Sequence, residues 1–73
     1  MSTHLRYGII GCGSMGREHI ENIQAMPRED GGASVTALAD PHGASRDAAL
    51  ALCRGEPRVF ETPGELLASG LCD

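Results

Sequence analysis

Lysine and tryptophan are absent from this 73-residue sequence, and the only rings able to stack on a base are Tyr7 and Phe60. All six basic residues are arginines, scattered along the chain against ten acids, and the formal net charge is −4. A chain with no basic block and no basic–aromatic interleaving lacks the electrostatic footprint of a nucleic-acid reader. The same balance argues against attachment to an anionic membrane surface. Long apolar runs are missing too: none approaches the roughly 18–20 residues that a membrane-spanning helix needs. Cysteine is sparse and odd in number, with Cys12, Cys53 and Cys72 in no C-x-x-C spacing and no secretory signal ahead of them. Neither a disulfide framework nor a zinc site is expected, and the expected compartment is the reducing cytoplasm.

What is present is a regular alternation of short apolar runs with helical periods. A chain this short forms at most one small domain, burying only roughly 60% of its unfolded surface. Leu5 to Ile10 (LRYGII) reads as a first strand, nearly continuous in apolar character after Arg6, as a strand covered on both faces should be. From Ser14 to Met26 apolar residues recur at Met15, His19/Ile20, Ile23 and Met26, a helical stripe that Pro27 and the run PREDGGAS stop. Val35 to Ala39 is a second strand, and Ala44 to Cys53 a second helix with Ala48, Ala49 and Leu52 facing inward. Val59-Phe60 is a short third strand. Pro63 to Ser69 is a third helix, with Thr62 as N-cap and Glu65 three residues on. Leu71-Cys72-Asp73 reads as the approach to a fourth strand. The β-α-β-α-β-α order predicts an α/β, Rossmann-like parallel sheet, incomplete, with strand order 3-2-1 and the first two helices on one face.

The stretch between the first strand and the first helix carries chemistry. Gly11, Gly13 and Gly16 occupy the three positions of G-x-G-x-x-G. In a dinucleotide site the first permits the tight turn, the second lets a pyrophosphate approach the backbone, and the third lets helix pack on strand. Backbone N–H groups around Ser14 and Met15 would then face the phosphates at a helix N-terminus. A glycine-rich turn before a helix is often only a turn. The spacing is supported by Asp40, which ends the second strand 24 residues beyond Gly16, where parallel order brings it beside the loop. A carboxylate there accepts hydrogen bonds from the adenosine ribose and repels a 2′-phosphate, so NAD is favoured over NADP. Asp-Pro also opens turns, a role compatible with the first. Arg46 could hold a 2′-phosphate, but it sits six residues beyond Asp40 and is expected to face solvent.

Other uses of the glycines fare worse. A Walker P-loop needs Lys-Ser/Thr after the last glycine, and here Gly16 is followed by Arg17-Glu18. A methyltransferase-type loop would place glycine where Met15 stands. Cys12 lies at a helix N-terminus, which favours a thiolate, yet no acid–base partner stands beside it in sequence, and packing is the expected role. Cys53 and Cys72 read as small core residues. His19 is expected to be half-buried on the inner edge of the first helix, His4 to lie in a frayed terminus, and His42 to sit near an adenine or in a solvated loop.

YGIIGCGSMGREH, VTALADPH, FETPGELLAS and LCD together resemble the N-terminal segment of the Gfo/Idh/MocA oxidoreductases, over essentially the whole chain. The resemblance implies that Gly11, Cys12, Gly13, Ser14, Met15 and Gly16 shape the pyrophosphate loop and that Asp40 holds the ribose. It implies NAD-dependent hydride transfer with a sugar-like or polyol carbinol. Family members continue with a fourth strand, a Glu-Lys-Pro segment and a substrate domain, none of which lies within these residues. The chain is therefore expected to be the first part of a nucleotide-binding domain, inactive alone, with an exposed first-strand edge prone to self-association. The alternative is a noncatalytic nucleotide-binding or protein-interaction module.

Overall fold

The computed structural model describes residues 4–26 and 32–73. Six elements follow in order: β1 (Leu5–Ile10), α1 (Ser14–Gln24), β2 (Ala33–Ala39), α2 (Gly43–Leu52), β3 (Arg58–Phe60) and α3 (Pro63–Ala68). β1 and β2 are parallel from Leu5↔Ala33 to Ile10↔Ala39, and β3 joins β2 in parallel from Ala37↔Arg58 to Ala39↔Phe60. β2 is central, so the order is β1-β2-β3, which reads 3-2-1 from the opposite edge. Among the described residues no helix is long and apolar enough to cross a membrane.

The core has two compartments because the sheet is covered on both faces. Ile20 and Ile23 of α1 and Ala49 of α2 pack on Ile9, Val35 and Leu38. Leu66 of α3 packs on Ala37 and Ala39, with Phe60, Leu71 and Cys72 beside it. Val35 and Leu38 are three residues apart, yet they share a face, which plain alternation forbids. The cause is a register irregularity in the pairing opposite Tyr7 and Gly8, which leaves Thr36 extra in β2. The Thr36 hydroxyl donates to the carbonyl oxygen of Leu71, so the irregularity also anchors the C-terminal residues. Gly8 is glycine for a packing reason: a Cβ there would stand 2.8 Å from Leu66 Cδ2 and 2.9 Å from Cys72 Sγ. Side chains as enclosed as Ile20, Leu38 and Leu66 contribute about 2–5 kcal/mol each when cut back to alanine.

Several sequence expectations are corrected. α1 ends at Gln24, before Met26, and its buried stripe is Gly16, Ile20 and Ile23 rather than one through Met15. Met15 is 72% exposed, and His19 is exposed rather than half-buried. The expected stop at residues 27–31 lies outside the described residues. β2 begins two residues earlier than expected, at Ala33. α2 runs from Gly43 rather than Ala44, and Leu52 is 37% exposed, leaving Ala49 as its buried contact. The expected capping box of α3 is present, with Glu65 N–H donating to Thr62 Oγ1 and Thr62 N–H to Glu65 Oε1. His4 is not loose: its ring nitrogen lies 2.8 Å from Ser34 Oγ.

The last residues form no strand. Asp73 instead clasps the outer edge of β1: its N–H donates to the Arg6 carbonyl at 2.8 Å, and the Arg6 N–H donates to Asp73 Oδ2 at 3.0 Å. The Arg6 guanidinium closes the clasp on Asp73 Oδ1 at 2.8 Å. Through that hydrogen bond Arg6 holds the Asp73 carboxyl below its ordinary range. Among the described residues, only Asp73 hydrogen-bonds to the backbone of that edge.

Candidate functional site

The carboxyl ends of β1 and β2 lie side by side, and the chain leaves each of them through a short turn. At the end of β1, Gly11 adopts φ +88°, a left-handed conformation that other residues reach only with strain. Its N–H donates to the Ala39 carbonyl at 2.8 Å, extending the ladder one step past the strand. Gly16, one turn into α1, has no room for a side chain, because a Cβ would collide with the carbonyl oxygen of Gly11. The fold thus explains glycine at 11 and at 16. At Gly13 it gives no steric reason: the backbone has φ −71°, and a Cβ would meet nothing within 4 Å. The bare backbone of Gly13 faces an open groove lined by Ile10, Gly11, Ser14, Met15 and His19.

Gly13 is the N-cap of α1 and supplies no side-chain cap, and the first turn carries no acid. Its early N–H groups therefore lack the partners that helix starts normally recruit. Among the described residues none accepts from the amides of Ser14 or Met15. Unpaired amides at the positive end of a helix dipole suit an anion.

Across from the loop, Asp40 is 8% exposed. Its Oδ2 accepts the Cys12 N–H at 2.7 Å and its Oδ1 the His42 N–H at 2.8 Å. These two backbone bonds, Cys12's first, hold the Asp40 carboxyl below the usual carboxylate range, so it is ionised at neutral pH. A carboxylate has about four acceptor positions, and two N–H bonds leave capacity for further donors. His42 places Nδ1 3.4 Å from Asp40 Oδ1 and otherwise exposes its ring.

Cys12 turns inward. Its side chain is fully buried, with Sγ 3.7 Å from the Ala39 carbonyl oxygen. Burial, and secondarily the Asp40 charge, push its thiol pKa up. A protonated, enclosed thiol is a packing group and not a nucleophile. Cys53 and Cys72 are half-buried free cysteines against the two core compartments. Arg46 is half-buried rather than solvent-facing.

The fold brings Gly11, Cys12, Gly13, Ser14, Met15 and Gly16 into one loop and sets Asp40 against it. Sequence reading missed Gly8 as a packing glycine, although a glycine inside a strand signals close approach. It also missed the clamp between the ends of α1 and α2. There Gln24 Nε2 donates to the Leu52 carbonyl at 3.0 Å and Gln24 Oε1 accepts the Arg54 N–H at 2.7 Å.

A parallel α/β layer with a glycine turn after its first strand and an acid closing the second has the architecture of the dinucleotide-binding class. Comparison with known proteins makes this particular. The model of the Gfo/Idh/MocA oxidoreductase family, described as having an NAD-binding Rossmann fold, matches residues 5–73, and the chain belongs to that family. Inositol 2-dehydrogenase of Agrobacterium fabrum (strain C58 / ATCC 33970) is 35% identical over 65 residues. That match covers 89% of this chain and 18% of the relative, so the chain spans less than a fifth of the curated relative's length.

Proposed function

We propose that these residues form the pyrophosphate and adenosine-ribose half of an NAD site. In this reading Gly11 sets the turn, Gly16 seats α1 on β1, and Gly13 keeps the backbone bare for the pyrophosphate. Ser14 and Met15 offer amide donors, Cys12 packs the loop from beneath, and Asp40 accepts from the ribose hydroxyls. The observation that carries the reading is the open space at Gly13 beside uncapped amides and a nearby ionised acid. The negative charge of Asp40 favours NAD over NADP. The bound cofactor would supply hydride transfer at its nicotinamide. By likeness to the relative named above, the reaction partner is a polyol or sugar-like carbinol. That activity is proposed only for a protein carrying the remaining parts of such an enzyme, since this chain offers no lysine for proton transfer. We further infer a cytoplasmic setting.

Isothermal calorimetry with NAD+ tests the site. Wild type should bind in the high micromolar range, and Gly13→Val and Asp40→Ala should each weaken binding at least about tenfold, the scale of one lost charge-assisted contact. Equal binding by all three proteins refutes the assignment.

A further inference from the structure

Met15 lines the groove beside Gly13 and Ser14 and is 72% exposed, more than any other large apolar side chain among the described residues. An exposed apolar residue is ordinary by itself; the place of this one is not. It is the second residue of α1, a helix whose N-cap supplies no side-chain acceptor and whose first turn holds no acid. Its thioether is also the most open sulfur among the described residues. Cys12 is fully buried, and burial pushes its thiol pKa up, which withholds the reactive thiolate. Cys53 and Cys72 are half-buried. Met26 is 42% exposed and lies beyond the opposite end of α1.

We propose that Met15 is an oxidation site that switches the loop: its sulfoxide supplies the acceptor that the start of α1 lacks and so competes with a phosphate for the bare amides. The proposal rests on the dinucleotide reading above and adds a redox response to it. With a hydroperoxide as oxidant, a sulfur lone pair of Met15 attacks one peroxide oxygen. The S–O bond forms as the O–O bond breaks, and the departing hydroxide takes up the proton to leave as water or an alcohol. Sulfur is oxidised and the peroxide reduced, and methionine sulfoxide reductases reverse the change. In the product, Sδ stands where glutamine has Cδ, and the new oxygen stands where glutamine has Oε1. An acceptor at that reach in the first turn of a helix meets the unpaired N–H groups and the positive end of the dipole.

The full chain is treated with hydrogen peroxide, freed of it, and studied by peptide mass spectrometry, circular dichroism and calorimetry with NAD+. Met15 should be converted to its sulfoxide before Met26. The dissociation constant for NAD+ should then rise at least about threefold, the scale of one competing hydrogen bond. Tm should rise by about 2–4 °C, as for a weak cap added to α1. Met15→Gln should show both effects without peroxide, and the reductases should restore the treated wild type. In Met15→Leu, whatever its own affinity, treatment should change the constant by less than about twofold, since the cysteines are retained and only the switch is lost. Conversion of Met26 before Met15 overturns the proposal and leaves the dinucleotide reading standing. Unweakened binding by the sulfoxide does the same, as does an equal loss in treated Met15→Leu, which assigns the effect to a cysteine. No NAD+ binding by the untreated chain overturns both.

Discussion

The three loop glycines should fail for three separable reasons, and substitution by alanine distinguishes them. At Gly16 the added Cβ would run into the Gly11 carbonyl oxygen, with the Gly11 carbonyl carbon at 3.0 Å and Ile9 Cγ2 at 3.4 Å. The obstacle is backbone, so α1 must lift from β1 or the turn must move. Overpacking of this kind costs about 1–3 kcal/mol, and a fixed obstacle places Gly16→Ala near the top of that range. Against a total stability of roughly 4–11 kcal/mol for a chain of this length, that is a large fraction. It corresponds to a fall in Tm of roughly 10–20 °C. At Gly11 the difficulty is conformational, φ +88°, and alanine should cost about 1–2 kcal/mol. At Gly13 neither obstacle exists. The reduced entropy of the unfolded chain favours alanine by about 0.4–1 kcal/mol, offset by its poorer N-cap preference of about 0.5 kcal/mol or more. Gly13→Ala should therefore melt within a few degrees of wild type while binding NAD+ more weakly. Thermal unfolding by circular dichroism gives the first quantity and calorimetry the second. A Gly16→Ala variant as stable as wild type would refute the packing argument. A stable Gly13→Ala variant with undiminished binding would refute the cradle.

Acidification should weaken the fold through Asp40. Its folded pKa is depressed by the amides of Cys12 and His42, so its stabilising contribution is complete above the unfolded value of about 4 and is lost as pH falls through the lower folded value. Melting curves from about pH 7 down to about pH 2 should show Tm declining below about pH 4, less steeply in Asp40→Asn; an equal decline in both proteins contradicts the linkage. The outer edge of β1, bonded through its backbone to Asp73 at Arg6, should drive concentration-dependent association in sedimentation velocity, increased by Asp73→Ala. A single monomeric species over about a hundredfold concentration range, in wild type and variant alike, would count against an available edge.

The type and order of the elements were legible because each rests on local chemistry. LRYGII reads as a strand from its apolar run, and Thr62 with Glu65 marks the start of α3. The expected cover of LRYGII on both faces is not found, since Leu5, Arg6 and Ile10 are exposed and only Ile9 is buried. The inner face of α1 was misread for a physical reason. Met15 is apolar, but α1 opens at the rim of a groove, and the position that touches β1 must carry no side chain at all. Gly16 therefore takes the place in the stripe that hydrophobicity assigned to Met15. The shared face of Val35 and Leu38 was hidden because an irregularity in pairing leaves no mark on an alternating sequence. The clasp of Asp73 on Arg6 joins residues 67 apart in the chain, and no local period reports such a contact.

The bond between Asp40 and the Cys12 amide changes how the site must be probed. Sequence reasoning placed the acid near the loop as an independent grip for a sugar. In the structure the same carboxylate fixes the loop before any ligand arrives, because Cys12 N–H is buried and has Asp40 Oδ2 as its acceptor. Removing the carboxylate leaves that donor without a partner as well as removing the grip. Weakened binding in Asp40→Ala therefore mixes loop disorder with lost contact. Asparagine retains a single acceptor oxygen and sets its amide against one of the two N–H donors, so it does not separate the effects. Gly13 does separate them, since its Cβ would touch nothing in the free chain. A loss of NAD+ binding at Gly13 with an intact melting temperature isolates the ligand's own demand on the backbone. Comparing the two variants then divides the Asp40 effect into its architectural and its binding parts.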